Sequence, residues 1–155
     1  MSDVRLVCMG QLDGPRYLDG HTHDGSVALA PNGEEPFTGT RWRQTKQGDV
    51  WILQCLGELD GPRFLDGHTH DGAVGLAPHT KKPFTGTRWR ARKLGEGFTL
   101  ECLGQLPGPR FLDGRTHEGT VGLAPNTEPP FTGTLWKVTE STLFDDETAH
   151  NPIRE

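Results

Sequence analysis

The segment His21-Thr22-His23-Asp24-Gly25 sets two imidazoles and a carboxylate within four residues. It recurs as His68-Thr69-His70-Asp71-Gly72 and, altered, as Arg115-Thr116-His117-Glu118-Gly119. A turn is satisfied by Asp-Gly and has no need of two imidazoles. Three chemistries suit the set. Thr, Asp and His can hydrogen-bond the local backbone and cap a hairpin. A polyol needs a few fixed donors and acceptors around adjacent hydroxyls, which Asp19, His21 and His23 supply on a short loop. An extended His-x-His puts both rings on one side, where Asp24 or Asp19 can complete a zinc or nickel shell. Arg115 breaks such a metal array in the third copy, and no cofactor is expected. An Asp-His pair can serve as general acid and base, but no Ser or Cys nucleophile accompanies the loop in every copy. Binding rather than turnover is the expectation, with no catalytic residue assigned.

Self-similarity at a fixed spacing decides the fold before any local reading does. Cys8, Cys55 and Cys102 are 47 residues apart, and the surrounding text recurs without insertion. LDGPRYLDGHTHDGSVALAP at 12–31 returns as LDGPRFLDGHTHDGAVGLAP at 59–78 and LPGPRFLDGRTHEGTVGLAP at 106–125, and PFTGTRWR at 36–43 returns at 83–90 and, as PFTGTLWK, at 130–137. Three 47-residue repeats follow, about 8–54, 55–101 and 102–138, within a single domain 1–138.

Gly and Pro cut each repeat into pieces too short for ordinary helices of about 10–12 residues. Short strands are predicted at 4–8, 16–19, 26–30 and 40–44, with counterparts in the later units. Alternate strand positions share a face, so Val4, Leu6 and Cys8 align with Trp51, Leu53 and Cys55 and with Phe98, Leu100 and Cys102 as an inward stripe. The cysteines read as small buried apolar groups. Trp42, Trp89 and Trp136 read as core anchors, and Phe37, Phe84 and Phe131 as either packing rings or exposed stacking platforms. Unit three is followed by no strand of its own, so segment 4–8 is expected to close the ring and leave no open edge.

These features resemble a β-trefoil, specifically the ricin B-chain-like lectin group. The resemblance spans about 4–138 and is carried by the three repeats, the Leu-Asp pairs Leu18-Asp19, Leu65-Asp66 and Leu112-Asp113, the Gly-x-Val-x-Leu-x-Pro third strand, and the fourth-strand tryptophans. It implies an all-β fold with pseudo-threefold symmetry, a six-stranded barrel and a hairpin cap. It also implies that Asp19, Asp66 and Asp113 accept hydrogen bonds from sugar hydroxyls. Ala30, Ala77 and Ala124 stand where that group commonly places a stacking ring.

The expected function is therefore multivalent, non-catalytic carbohydrate binding. Up to three sites are centred on Asp19, His21 and His23, on Asp66, His68 and His70, and on Asp113, Arg115 and His117, with glycans or small saccharides as partners. Weak related sites gain by avidity. The third should differ in preference, since Arg115 is a permanent cation where the others carry a titratable ring. A protein-binding module or protease inhibitor using the loops, and a His-x-His metal-binding protein, are the alternatives. Sixteen basic against 21 acidic residues leave a net charge of −5, which excludes a general nucleic-acid-binding surface. No apolar run approaches the roughly 18 residues that cross a bilayer, and Met1-Ser2-Asp3 opens no secretory leader, so no membrane insertion and a cytoplasmic location are expected. The C-terminal tail 139–155 lacks glycine and is rich in Thr, Asp and Glu, which suits a short surface helix or a disordered end.

Overall fold

The computed structural model describes residues 3–139. Apart from Thr139, the expectation for the tail lies outside them. Twelve strands follow one another: β1 (Asp3–Cys8), β2 (Tyr17–His21), β3 (Ser26–Ala30), β4 (Trp42–Gln47), β5 (Val50–Cys55), β6 (Phe64–His68), β7 (Ala73–Ala77), β8 (Trp89–Leu94), β9 (Gly97–Cys102), β10 (Phe111–Arg115), β11 (Thr120–Ala124) and β12 (Trp136–Thr139). Short 3-10 turns occupy Thr38–Thr40, Thr85–Thr87 and Thr132–Thr134.

The inward stripe is buried throughout. Leu6, Trp51, Cys55 and Cys102 are at 0% exposure, and Val4, Leu53 and Leu100 are at 1%. Trp42, Trp89 and Trp136 join them at the centre, also at 0%. A buried indole needs a partner for its N–H, and each finds one: Nε1 donates to the carbonyls of Leu18 (2.9 Å), Leu65 (3.0 Å) and Leu112 (2.9 Å). Each thiol fits a slot made by glycine, so a Cβ on Gly20 would stand 2.8 Å from Cys55 Sγ. Burial pushes the Cys8 and Cys102 thiols up to about 11, which fits inert packing groups.

All strand pairs are antiparallel, and β1 meets β12 in the register Arg5↔Thr139 to Cys8↔Trp136. The expected β-trefoil, with three pseudo-threefold repeats dividing into a six-stranded barrel and a hairpin cap, is overturned by the strand pairing. The twelve strands are hydrogen-bonded as one antiparallel sheet, closed into a barrel. The hairpins do not stand apart as a cap. β2 and β6 join β1 and β5 through Val7↔Tyr17 and Gln54↔Phe64, and β3 pairs with both β7 and β11. The physical reason is that backbone groups on the outer sides of the hairpins would otherwise be unpaired edges.

Two boundaries differ from expectation in ways that matter for the site. β4 begins at Trp42 rather than at Thr40, because Thr40 folds back and its hydroxyl donates to Phe37 O at 2.9 Å. β2 runs on to His21, which is a strand residue paired across from Ser26 and not part of a loop.

Candidate functional site

Asp19 is carried by β2 and lies 5% exposed, with one carboxylate oxygen against the backbone of Gly39. A Cβ at Gly39 would stand 1.8 Å from Gly20 O and 2.7 Å from Asp19 Oδ1, so only glycine lets the 3-10 turn approach this closely. The other oxygen accepts from His21, Nε2 to Oδ2 3.2 Å. Asp and His sit two apart on one strand and therefore share a face. Burial pushes the Asp19 carboxyl above the usual carboxylate range, and His21 pulls it partly back. Asp66 and His68 repeat the arrangement at 3.2 Å, and burial again pushes the carboxyl up.

Asp24 has a different task. Its Oδ1 accepts from Ser26 N at 2.9 Å and from Ser26 Oγ at 2.8 Å, capping the β2–β3 hairpin. Those bonds hold its carboxyl below the usual range. His21 Nδ1 lies 2.8 Å from Ser26 Oγ, so a chain runs Asp19–His21–Ser26–Asp24. In the second hairpin Asp71 Oδ1 accepts from Ala73 N at 3.0 Å, and Ala73 offers no hydroxyl to His68. His23 stands beside His21, ring centroids 6.2 Å apart, with its side chain 59% exposed.

A cavity of about 240 Å³ opens over these groups. Asp19, His21 and His23 line it together with Phe37, Thr38 and Leu59. Its counterpart, about 200 Å³, gathers Asp66, His68, His70, Phe84, Thr85 and Leu106. The structure thus brings together, in each of the first two sets, every residue singled out in the sequence. It adds the half-buried ring of Phe37 or Phe84, and a leucine from the following unit. The leucine is tied in by the middle residue of the motif: Thr22 Oγ1 donates to Leu59 O at 2.5 Å and Thr69 Oγ1 to Leu106 O at 2.6 Å. Sequence reasoning missed this inter-unit clasp. The signal was the Thr just before the second position's imidazole, unvaried in three copies.

The third set is built differently. Asp113 is similarly buried, but Arg115 Nε stands 3.9 Å from its Oδ2. The guanidinium folds across Gly122, where a Cβ would stand 2.8 Å from Nη2. His117 stands 3.2 Å from Glu118, much as His23 stands 3.7 Å from Asp24 and His70 3.5 Å from Asp71. Burial again raises the Asp113 carboxyl, with Arg115 opposing. Among the described residues no group of three or more His, Cys, Asp or Glu side chains is arranged to hold a metal ion. His-x-His does put two rings side by side, but one is already engaged by Asp19 or Asp66.

Each of the first two cavities offers a carboxylate acceptor, imidazole nitrogens that can donate or accept, and an aromatic ring beside an aliphatic one. That combination meets a small molecule with one polar edge and one apolar face. No family model matches the sequence, and no curated protein matches it. Among solved structures, the chain is similar to a GlcNAcα1-4Gal-releasing endo-β-galactosidase from Clostridium perfringens (TM-score 0.69, 8% identity, 91% of this chain and 33% of that one). It is also similar to a salivary protein of the cysteine- and tryptophan-rich family from Culex quiquefasciatus (0.65, 17%, 90% and 93%) and to SeviL bound to asialo-GM1 saccharide (0.61, 10%, 91% and 98%). The chain spans a third of the galactosidase's length. At these identities the likeness is one of fold, and that fold is shared with proteins that bind or act on saccharides.

Proposed function

We propose that the protein is a non-catalytic carbohydrate-binding protein whose Asp–His cavities each seat one sugar residue. The observation that carries this reading is the recurrence of a buried carboxylate 3.2 Å from an imidazole, next to a half-buried phenylalanine, in two cavities of similar size. Sugar hydroxyls donate to the carboxylate and exchange hydrogen bonds with the imidazole, while the apolar sugar face lies on Phe37 or Phe84. SeviL's saccharide complex on a similar fold supports the class of ligand. The test is a glycan-array screen of the parent chain and of the Asp19→Asn, Asp66→Asn, Asp113→Asn triple variant. The parent should bind a limited set of glycans and the triple variant should lose them; a parent that binds none would overturn the reading.

A second reading, capture of a protein target by the same loops, draws on Leu12, Leu59 and Leu106, which are 54–57% exposed at equivalent places. Pull-down of a partner that persists in saturating free saccharide would favour it.

A further inference from the structure

Phe37 and Thr38 line two cavities. Besides the Asp19–His21 cavity they border a larger one of about 580 Å³, which contains Arg5, Arg41, Arg43, Glu34, Glu35 and Glu58. Phe37 therefore borders both.

One pair in the lining of the larger cavity is peculiar to the first unit. Arg5 reaches across to donate from Nη2 to Gly33 O at 2.9 Å. A Cβ at Gly33 would stand 2.2 Å from Arg5 Nε, so the arginine requires the glycine. The corresponding pairs are Ile52 with Thr80 and Thr99 with Thr127. The flank of the ring differs as well. Asn32 Oδ1 accepts from Glu34 N at 2.9 Å, as Asn126 Oδ1 does from Glu128 N at 3.0 Å in unit three. At the same position in unit two, His79 makes the equivalent bond to Lys81 N but also sets its ring edge-on against Phe84, centroids 5.0 Å apart. Asn32 offers Phe37 no such ring. Arg43 has Gln54 on one side of the ladder and Asp3, paired to Arg41, on the other, and makes no ion pair among the described residues, whereas its counterpart Arg90 faces Glu101 at 3.8 Å.

We infer that this cavity is a second subsite of site one, and that it takes the sugar residue adjoining the one held at Asp19–His21. Site one then binds neutral oligosaccharides across Phe37, while site two holds a terminal residue alone. The inference rests on the saccharide-binding reading above. The class of ligand follows from the lining: guanidiniums only donate and carboxylates only accept, in nearly balanced number with Asp3 already paired to Arg41 at 2.9 Å. Such a surface has little preference for an ion of either sign and suits hydroxyl groups, which do both.

The experiment uses the intact chain. The imidazole resonances of His21 and His68 report the two sites separately during titration with galactose, N-acetylglucosamine, lactose and the asialo-GM1 saccharide. The longer saccharides should bind at His21 about five- to tenfold more tightly than at His68, the worth of one or two added hydrogen bonds. The monosaccharides should not distinguish the sites. Arg43→Ala, which removes an exposed side chain, and Asn32→His, which installs the unit-two ring, should each abolish the gain at His21 and leave monosaccharide binding as it was. Equal affinity of the longer saccharides at both sites, or a gain that survives both substitutions, would overturn the second subsite and leave the saccharide reading standing. No perturbation by any saccharide at either histidine would overturn both.

Discussion

At the scale of the residue, the unusual group is the carboxylate at the foot of each site. Asp19, Asp66 and Asp113 are nearly closed off from water, and burial raises all three above their ordinary value. A carboxyl with a raised folded-state pKa holds its proton where the unfolded chain has released it. Its stabilising contribution is complete below the ordinary value of 3.8 and is lost as pH rises through the folded value. The histidine or arginine beside each carboxylate limits this loss without cancelling it. Thermal melts of the parent and of the Asp19→Asn, Asp66→Asn, Asp113→Asn variant across about pH 3.5 to 6.5 should therefore separate. The Tm difference, parent minus variant, should move against the parent as pH rises through the window above 3.8. A difference that stays flat, or moves the other way, would mean that His21, His68 and Arg115 fully compensate burial. The exposed capping carboxylates Asp24 and Asp71 act with the opposite sign and are common to both chains, so they cancel in the comparison.

At the scale of the element, each site is a strand end pressed against a 3-10 turn and closed by the turn of the next unit. Thr22 makes the last of these connections, from the β2–β3 turn to Leu59. Thr22→Val keeps the shape and removes the donor, leaving the Leu59 carbonyl short of a partner, at a cost of about 1–2 kcal/mol. Urea unfolding should show a lower midpoint with an unchanged slope, and saccharide binding reported by His21 should weaken while that reported by His68 should not. An unchanged midpoint would show that the clasp is dispensable. This connection also marks the limit of what a sequence reveals. The Asp19–His21–His23 constellation was legible because those residues are neighbours in the chain, and the stripe of Val4, Leu6 and Cys8 because strands alternate. Leu59 was not legible, since its partner stands 37 residues away and the bond uses its carbonyl, which carries no residue identity. The place of Phe37 is explained by Gly39, whose missing side chain lets the turn reach Asp19; a glycine's reason for being present appears only when its neighbour does.

At the scale of the whole molecule, the pairing of distant strands decided what local pattern could not. Hairpins β2–β3, β6–β7 and β10–β11 are evident from their turns, but whether they form a cap or continue the sheet depends on outer backbone groups that leave no trace in side-chain type. Closure is the exception, because the chain after Trp136 offers no further inward stripe and only the first segment can supply one. β1 answers that need on three sides: it pairs with β12, β2 and β4 and buries Val4, Leu6 and Cys8. Each large apolar side chain so buried contributes roughly 1.5–3 kcal/mol, against a net stability of about 5–15 kcal/mol for an ordinary domain. Removing residues 3–8 takes away Val4, Leu6 and the Cys8 thiol, and opens the edges of β12 and β4 to pairing with other molecules. The truncated chain should lose its cooperative thermal transition or associate, as read by circular dichroism and by size-exclusion chromatography at several concentrations. Leu6→Ala, which keeps every backbone pairing, should instead stay monomeric and lose about 2–5 kcal/mol. If the truncated chain melted cooperatively within a few degrees of the parent and ran as a monomer, the ring would hold without its first strand, and β1 would be an addition to the barrel and not its closure.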